Sequence, residues 1–193
     1  MSEFADNYHL RSSDIGEAVA LLKRAGLSGY AMPEGNGWIM IVAEGEMFRP
    51  NQKLISQNQG ELLHLVSAED HGWGFEFYKG PDEAFGYACS WDPSISIERP
   101  LAYDQLISFF PQFSDQFSSQ ELTHVFEPDS FDTMYETGPV DVFANTVGLK
   151  FFRWINFELV DTDTRSGEHP LPPELVRVES CSRPTGSHTH GPR

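Results

Sequence analysis

Residues 73–91, WGFEFYKGPDEAFGYACSW, decide the reading of the fold. In the first half Trp73, Phe75 and Phe77 alternate with Gly74, Glu76 and Tyr78. In the second half Phe85, Tyr87, Cys89 and Trp91 alternate with Gly86, Ala88 and Ser90. A period of two places each bulky set on one face of a sheet. Between them Gly80-Pro81-Asp82-Glu83 supplies turn chemistry. The stretch therefore predicts a hairpin of two strands, Trp73 to Lys79 and Ala84 to Trp91.

Towards the N-terminus, the compact apolar run from Trp38 to Ala43 predicts a buried strand, and Glu61 to Ser67 is favoured as another over a short helix. Met32 to Gly37 is turn-rich, and Arg49 to Gly60 reads as a polar loop. From Ser13 to Ala25 the period changes to that of a helix. Ile15, Val19 and Leu22 fall on one stripe, Asp14 and Glu17 have capping-box spacing, and Gly26 suits the position after the last turn. Towards the C-terminus, Leu101 to Phe110 predicts a helix. So do Ser118 to Phe126, which opens with a second capping-box pair, Ser118 and Glu121, and Pro139 to Val147. Asp129 to Glu136 reads as a further helical turn. Lys150 to Val160 carries apolar residues at both parities, with Arg153 and Glu158 as exceptions, which predicts a central strand covered on each side.

After Val160 there is no aromatic residue, and Pro170, Pro172, Pro173, Pro184 and Pro192 fall among Ser, Thr, Gly and charges. Such a segment buries too little apolar surface to offset its ordering entropy. The expectation is one acidic α+β domain over residues 1–164 and a disordered polar tail over 165–193. The domain is expected to be a mainly antiparallel sheet of about five strands, with an N-terminal helix and a helical segment before the last strand.

The charge narrows the function classes. There are 29 Asp and Glu against 13 Lys and Arg, a net of −16. This balance argues against partners that are themselves polyanions, nucleic acid or an anionic membrane. No run approaches the roughly 18 apolar residues of a membrane span, and residues 1–10 lack the basic and then apolar start of a secretory signal. With Cys89 in an aromatic segment and Cys181 in the tail, two reduced thiols in a cytoplasmic protein is favoured over a disulfide.

The acidity is unevenly spread. From Pro100 to Leu149 there is no Lys or Arg but there are eight acids: Asp104, Asp115, Glu121, Glu127, Asp129, Asp132, Glu136 and Asp141. Aromatic residues lie among them, and Phe113, Phe117 and Tyr135 are the ones suited to anchor a partner. The eight acids with Tyr135 form the expected partner-binding set.

Motifs for chemistry are weak. There is no GxxxxGK[ST], GxGxxG, GxSxG or HExxH, so P-loop, dinucleotide, serine-hydrolase and zincin chemistry lack their signatures. Cys89 among aromatics reads as a structural thiol rather than a nucleophile. His169, His188 and His190 lie in the polar tail, where a weak grip on a metal ion lacks fixed geometry. Asp161 and Asp163 lack a third fixed ligand. Among carboxylate pairs, Glu69 with Asp70 and Asp82 with Glu83 point to opposite faces of a strand. Glu44 and Glu46 share parity, but such a pair is expected by chance among so many acids. His71 beside Asp70 reads as a loop histidine. No catalytic residue, metal site or cofactor is assigned.

Two expectations follow. The first is a non-enzymatic acidic protein that covers a basic protein partner, as a bacterial immunity protein or antitoxin covers a toxin. The second is an enzyme or small-ligand protein with a site on the aromatic sheet face around Trp73, Tyr87 and Trp91, with Glu76 or Glu44 as acid.

Overall fold

The computed structural model describes residues 4–69, 71–167 and 172–180. Eight strands form one sheet in the order β7-β6-β5-β4-β1-β3-β2-β8, and each neighbouring pair is antiparallel. The strands are β1 (Phe4–Arg11), β2 (Gly29–Gly35), β3 (Trp38–Ala43), β4 (Glu61–Ala68), β5 (Gly72–Lys79), β6 (Asp82–Ser90), β7 (Ser96–Arg99) and β8 (Val176–Val178). The fold is α+β as expected, but the sheet has eight strands rather than about five.

The hairpin of residues 73–91 is β5 and β6, with Lys79 opposite Asp82 across Gly80-Pro81 and Gly80 in the left-handed region at φ 62°. The bulky parity of both strands lies on one face of the sheet, under a layer of short helices. These are α3 (Tyr103–Phe109), α4 (Gln112–Gln116), α5 (Ser119–Phe126), α6 (Phe131–Thr137) and α7 (Pro139–Val147). Phe75 stacks on Phe143 at 4.1 Å between ring centroids, and Phe126 and Phe143 both meet Trp73. Offset and edge contacts of this kind hold an aromatic core beyond its area of burial. The other face packs against α1 (Ile15–Ala25) and α2 (Gln52–Ser56), with Leu21, Leu22, Leu54 and Ile55 buried on Tyr8, Leu10, Ile39 and Ile41. Asp14 caps α1 through the Gly16 amide, and Gly26 closes it at φ 67°.

Four strands escape the sequence pattern. β1 reads FADNYHLR and looks too polar for the centre of a sheet. β2 contains Pro33, which is tolerated because the register shifts beside it, the kind of site where a sheet accepts proline. β7 has only four residues. β8 falls in the stretch read as a tail, and Val178 is buried against the α1 side. The expected tail from residue 165 thus begins inside α8 (Phe157–Ser166) and includes β8, whereas residues 168–171 and 181–193 lie outside the described residues, as does Asp70.

The fifth expected strand, Lys150 to Val160, is not a strand. Residues 150–156 cross the sheet face irregularly and lead into α8, capped by Asn156. Both parities are apolar because the segment touches two separate cores. Phe152 joins the aromatic core, while Phe151, Ile155 and Phe157 pack against Tyr30, Met32 and Met40. Its backbone groups bond to the Glu34 and Asn7 side chains and, at Ile155 O alone, to the Asp6 amide of β1, in place of a continuous strand ladder.

Candidate functional site

The helical layer α3–α7 carries the acids singled out in the sequence. Asp104, Asp115, Glu121, Glu127, Asp129, Asp132, Tyr135 and Glu136 are exposed, and Asp141 is half-buried. Four of them have local duties. Glu121 completes the capping box with Ser118, whose amide and hydroxyl hydrogen bonds hold its carboxyl below the usual range. Glu127 accepts from the Tyr103 hydroxyl at 2.9 Å, Asp129 from Thr133 at 2.9 Å, and Asp141 from Arg153 Nε at 2.9 Å. Among the described residues Asp104, Asp115, Asp132 and Glu136 have no intramolecular partner. Phe113 is fully buried in the core and Phe117 is half-buried, so of the three expected aromatic anchors only Tyr135 is presented to solvent.

α6 gathers the outward features. It has Ser130 as its cap and the left-handed Gly138 as its end, and only Met134 of its own residues is buried. Phe131 and Tyr135, four residues apart, share one stripe, and Asp132 and Glu136 share the next. Tyr135 is 72% exposed and Phe131 41%. A bare tyrosine of this kind on a charged helix is an unusual use of a residue that normally buries its ring.

Beside α6 lies a cleft of about 260 Å³. Tyr135, Asp141, Arg153 and Trp154 line it. Trp91 and Phe152 contribute apolar surface, with Glu69 near them. The structure brings Tyr135 and Asp141 together here; Asp104, Asp115 and Glu121 sit on α3, α4 and α5 outside it. Sequence reading missed Trp154, which it placed in a strand. Trp154 is 43% exposed with φ 56°, a conformation costly for a side chain of that bulk.

A buried polar network holds the segment that carries Trp154. Glu34 Oε2 accepts from the Lys150 and Phe151 amides at 2.6 and 3.1 Å. Glu34 Oε1 meets His9 Nδ1 at 2.5 Å, and His9 Nε2 meets Asn7 Oδ1 at 2.7 Å. The Asn7 amide donates to Ile155 O at 3.1 Å. Burial pushes the Glu34 carboxyl up, but His9 and the two backbone amides outweigh it and leave it below the usual range.

A second polar chain lies on the opposite sheet face. His64 is buried, with Nδ1 2.8 Å from Glu76 and Nε2 2.9 Å from Asp6. Burial favours the neutral ring, yet both nitrogens face carboxylates, and the imidazole is raised to about 9. Tyr8 stacks on it at 4.3 Å. Asp6 also accepts from the Phe48 amide at 2.6 Å. Asp6 and Tyr8 border a cleft of about 280 Å³ with Glu44, Glu46 and Glu158, and Arg49 pairs with Glu46 there at 3.0 Å.

The remaining sequence candidates are scattered. Trp73 and Tyr87 are core, and Glu76 projects from the other face to His64. Cys89 is a buried thiol whose pKa burial raises. His71 meets Asp92 at the surface, Glu83 pairs with Arg99, and Asp161 accepts from the Tyr30 hydroxyl. Among the described residues no three His, Cys, Asp or Glu side chains are arranged to hold a metal ion, and no helix is long and apolar enough to cross a membrane. Cys181, His169, His188 and His190 lie outside the described residues. Comparison with protein-family models, curated proteins and solved structures finds no match.

Proposed function

We propose that the protein is a non-enzymatic acidic binder that covers a basic protein partner, as an immunity protein or antitoxin covers a toxin. The observation that carries this reading is α6. It exposes Tyr135 and Phe131 beside Asp132 and Glu136, in a layer from residue 100 to 149 with no Lys or Arg. Exposed aromatics supply the desolvated centre that dominates binding energy, and unpaired carboxylates steer a cationic partner and favour it over others. The same charge disfavours nucleic acid and anionic membranes as partners. A cytoplasmic setting goes with this reading, because Cys89 is a buried free thiol.

The alternative of an enzyme or ligand site on the aromatic sheet face has less support. Trp73 and Tyr87 are spent in packing, and the carboxylates near Trp91 share their cleft with Arg153. The binder reading is tested by affinity capture from an extract of the cells that make the protein, at low and high salt. A stoichiometric basic partner held at low salt and released as salt rises supports it. No stoichiometric partner at low salt overturns it.

A further inference from the structure

The cleft beside α6 already holds a guanidinium. Arg153 offers Nε to Asp141 Oδ1 at 2.9 Å and Nη2 to Oδ2, a two-pronged pair, and its Cζ lies 5.9 Å from the Phe152 ring centroid. Both partners are only half covered, with 51% of the Arg153 side chain and 37% of Asp141 exposed. Both charged groups are therefore reachable from solvent. The lining comprises two carboxylates, Asp141 and Glu69, one guanidinium, and aromatic surface from Tyr135, Trp154 and Trp91. Planar cations stack on such rings and fork onto a carboxylate.

The wall that Trp154 forms is pre-set. On either side of Arg153 and Trp154 the backbone is fixed, by Glu34 on Lys150 and Phe151, and by Asn7 and the Asp6 amide on Ile155 O. Between these clamps Trp154 stays in the left-handed region with its ring half in solvent. Strained backbone persists where its surroundings over-determine it, and such sites cluster where ligands bind.

We propose that this cleft is an arginine-reading subsite for the basic partner, in which an incoming arginine displaces Arg153 from Asp141 and stacks against Trp154 and Tyr135. The inference rests on the binder reading above and names the side chain it selects. Arginine is favoured over lysine because only the planar fork reproduces the two-pronged contact with Asp141 and lies flat on the rings.

The test is titration of the full chain with N-acetyl-arginine methylamide, and with its lysine and norleucine counterparts, at low ionic strength. Binding is followed by the indole N–H signals of Trp91 and Trp154. The arginine probe should bind saturably and more tightly than the other two. Arg153→Gln should tighten it, by about five-fold for the removal of a competing exposed pair. Asp141→Asn should abolish it. Trp154→Gly suits the left-handed backbone, so it should fold at least as well as the parent and yet lose binding. The proposal is overturned by equal binding of the norleucine probe, by an Arg153→Gln variant that binds no more tightly, or by an Asp141→Asn variant that binds as the parent does. In the capture experiment, a basic partner held equally by the parent and Asp141→Asn overturns the subsite and leaves the binder reading standing. Arginine binding without any captured partner does the reverse.

Discussion

Raising the pH should weaken the fold through one buried side chain, His64. Its two ring nitrogens face Glu76 on β5 and Asp6 on β1, 2.8 and 2.9 Å away, and Tyr8 covers its ring. The folded imidazole is raised from its ordinary value of 6.5 to about 9. A ten-fold change in proton affinity is worth about 1.4 kcal/mol, so the charged form contributes about 3 kcal/mol. Because the folded pKa lies above the unfolded one, that contribution is fully present below pH 6.5 and is lost as pH rises through about 9. At pH 7.5 roughly 2 kcal/mol should remain. The assay is urea unfolding at several pH values between 6 and 9.5 for the parent and for His64→Gln. Subtracting the two curves cancels other groups that titrate in this window. The difference should shrink steadily across it, and an NMR titration should show both His64 nitrogens protonated at pH 7.5. Parallel curves, or a His64 ring that loses its proton below pH 7, would refute the reasoning.

Three further outcomes follow from the same contacts. Truncation after Gly167 removes β8 and the burial of Val178 on the α1 core; it should cost about 2 kcal/mol and lower the melting temperature, and an unchanged melting temperature would show that β8 adds nothing. Replacing Glu34 with leucine leaves the buried His9 and the part-buried Lys150 and Phe151 amides without their acceptor. It should cost about 3–5 kcal/mol in denaturant unfolding, whereas a cost below about 1 kcal/mol would mean that the network does not hold the 150–156 segment. Tyr135→Ala should leave stability within about 0.5 kcal/mol while weakening capture of the basic partner by about 2 kcal/mol; a large stability loss would place Tyr135 in the fold rather than at an interface.

The parts of the fold that were legible in sequence are those where one physical signal stands alone. Alternating aromatics gave β5 and β6, and a capped apolar stripe gave α1. Capping-box spacing at Ser118 and Glu121 opened α5 with both reciprocal bonds formed. What was hidden is polarity satisfied at a distance. β1 carries Asn7 and His9 into the interior, where Ile155 and Glu34, far along the chain, complete their hydrogen bonds. Local pattern prices such residues as exposed. The same long-range bonds disguise residues 150–156: they replace the ladder of a strand, so apolar residues at both parities mark two cores and not a central strand. For the site, Asp132, Tyr135, Glu136 and Asp141 were visible as members of a cation-free stretch. Phe113 was equally aromatic and turned out to be core, because helical phase in short helices is set by packing. Trp154 carried no local sign of its left-handed backbone, and Arg153 was visible only as an exception to an apolar pattern.

The most direct test of the central claim is capture with two versions of the full chain at low and high salt. One is the parent; the other carries Asp132→Asn, Glu136→Gln and Tyr135→Ala on α6, changes that leave the buried Met134 in place. The account predicts that the parent retains a stoichiometric basic protein at low salt, that salt releases it, and that the α6 variant, folded to the same degree by circular dichroism, fails to retain it. Retention of the same partner by both versions, or of none by the parent, would contradict it.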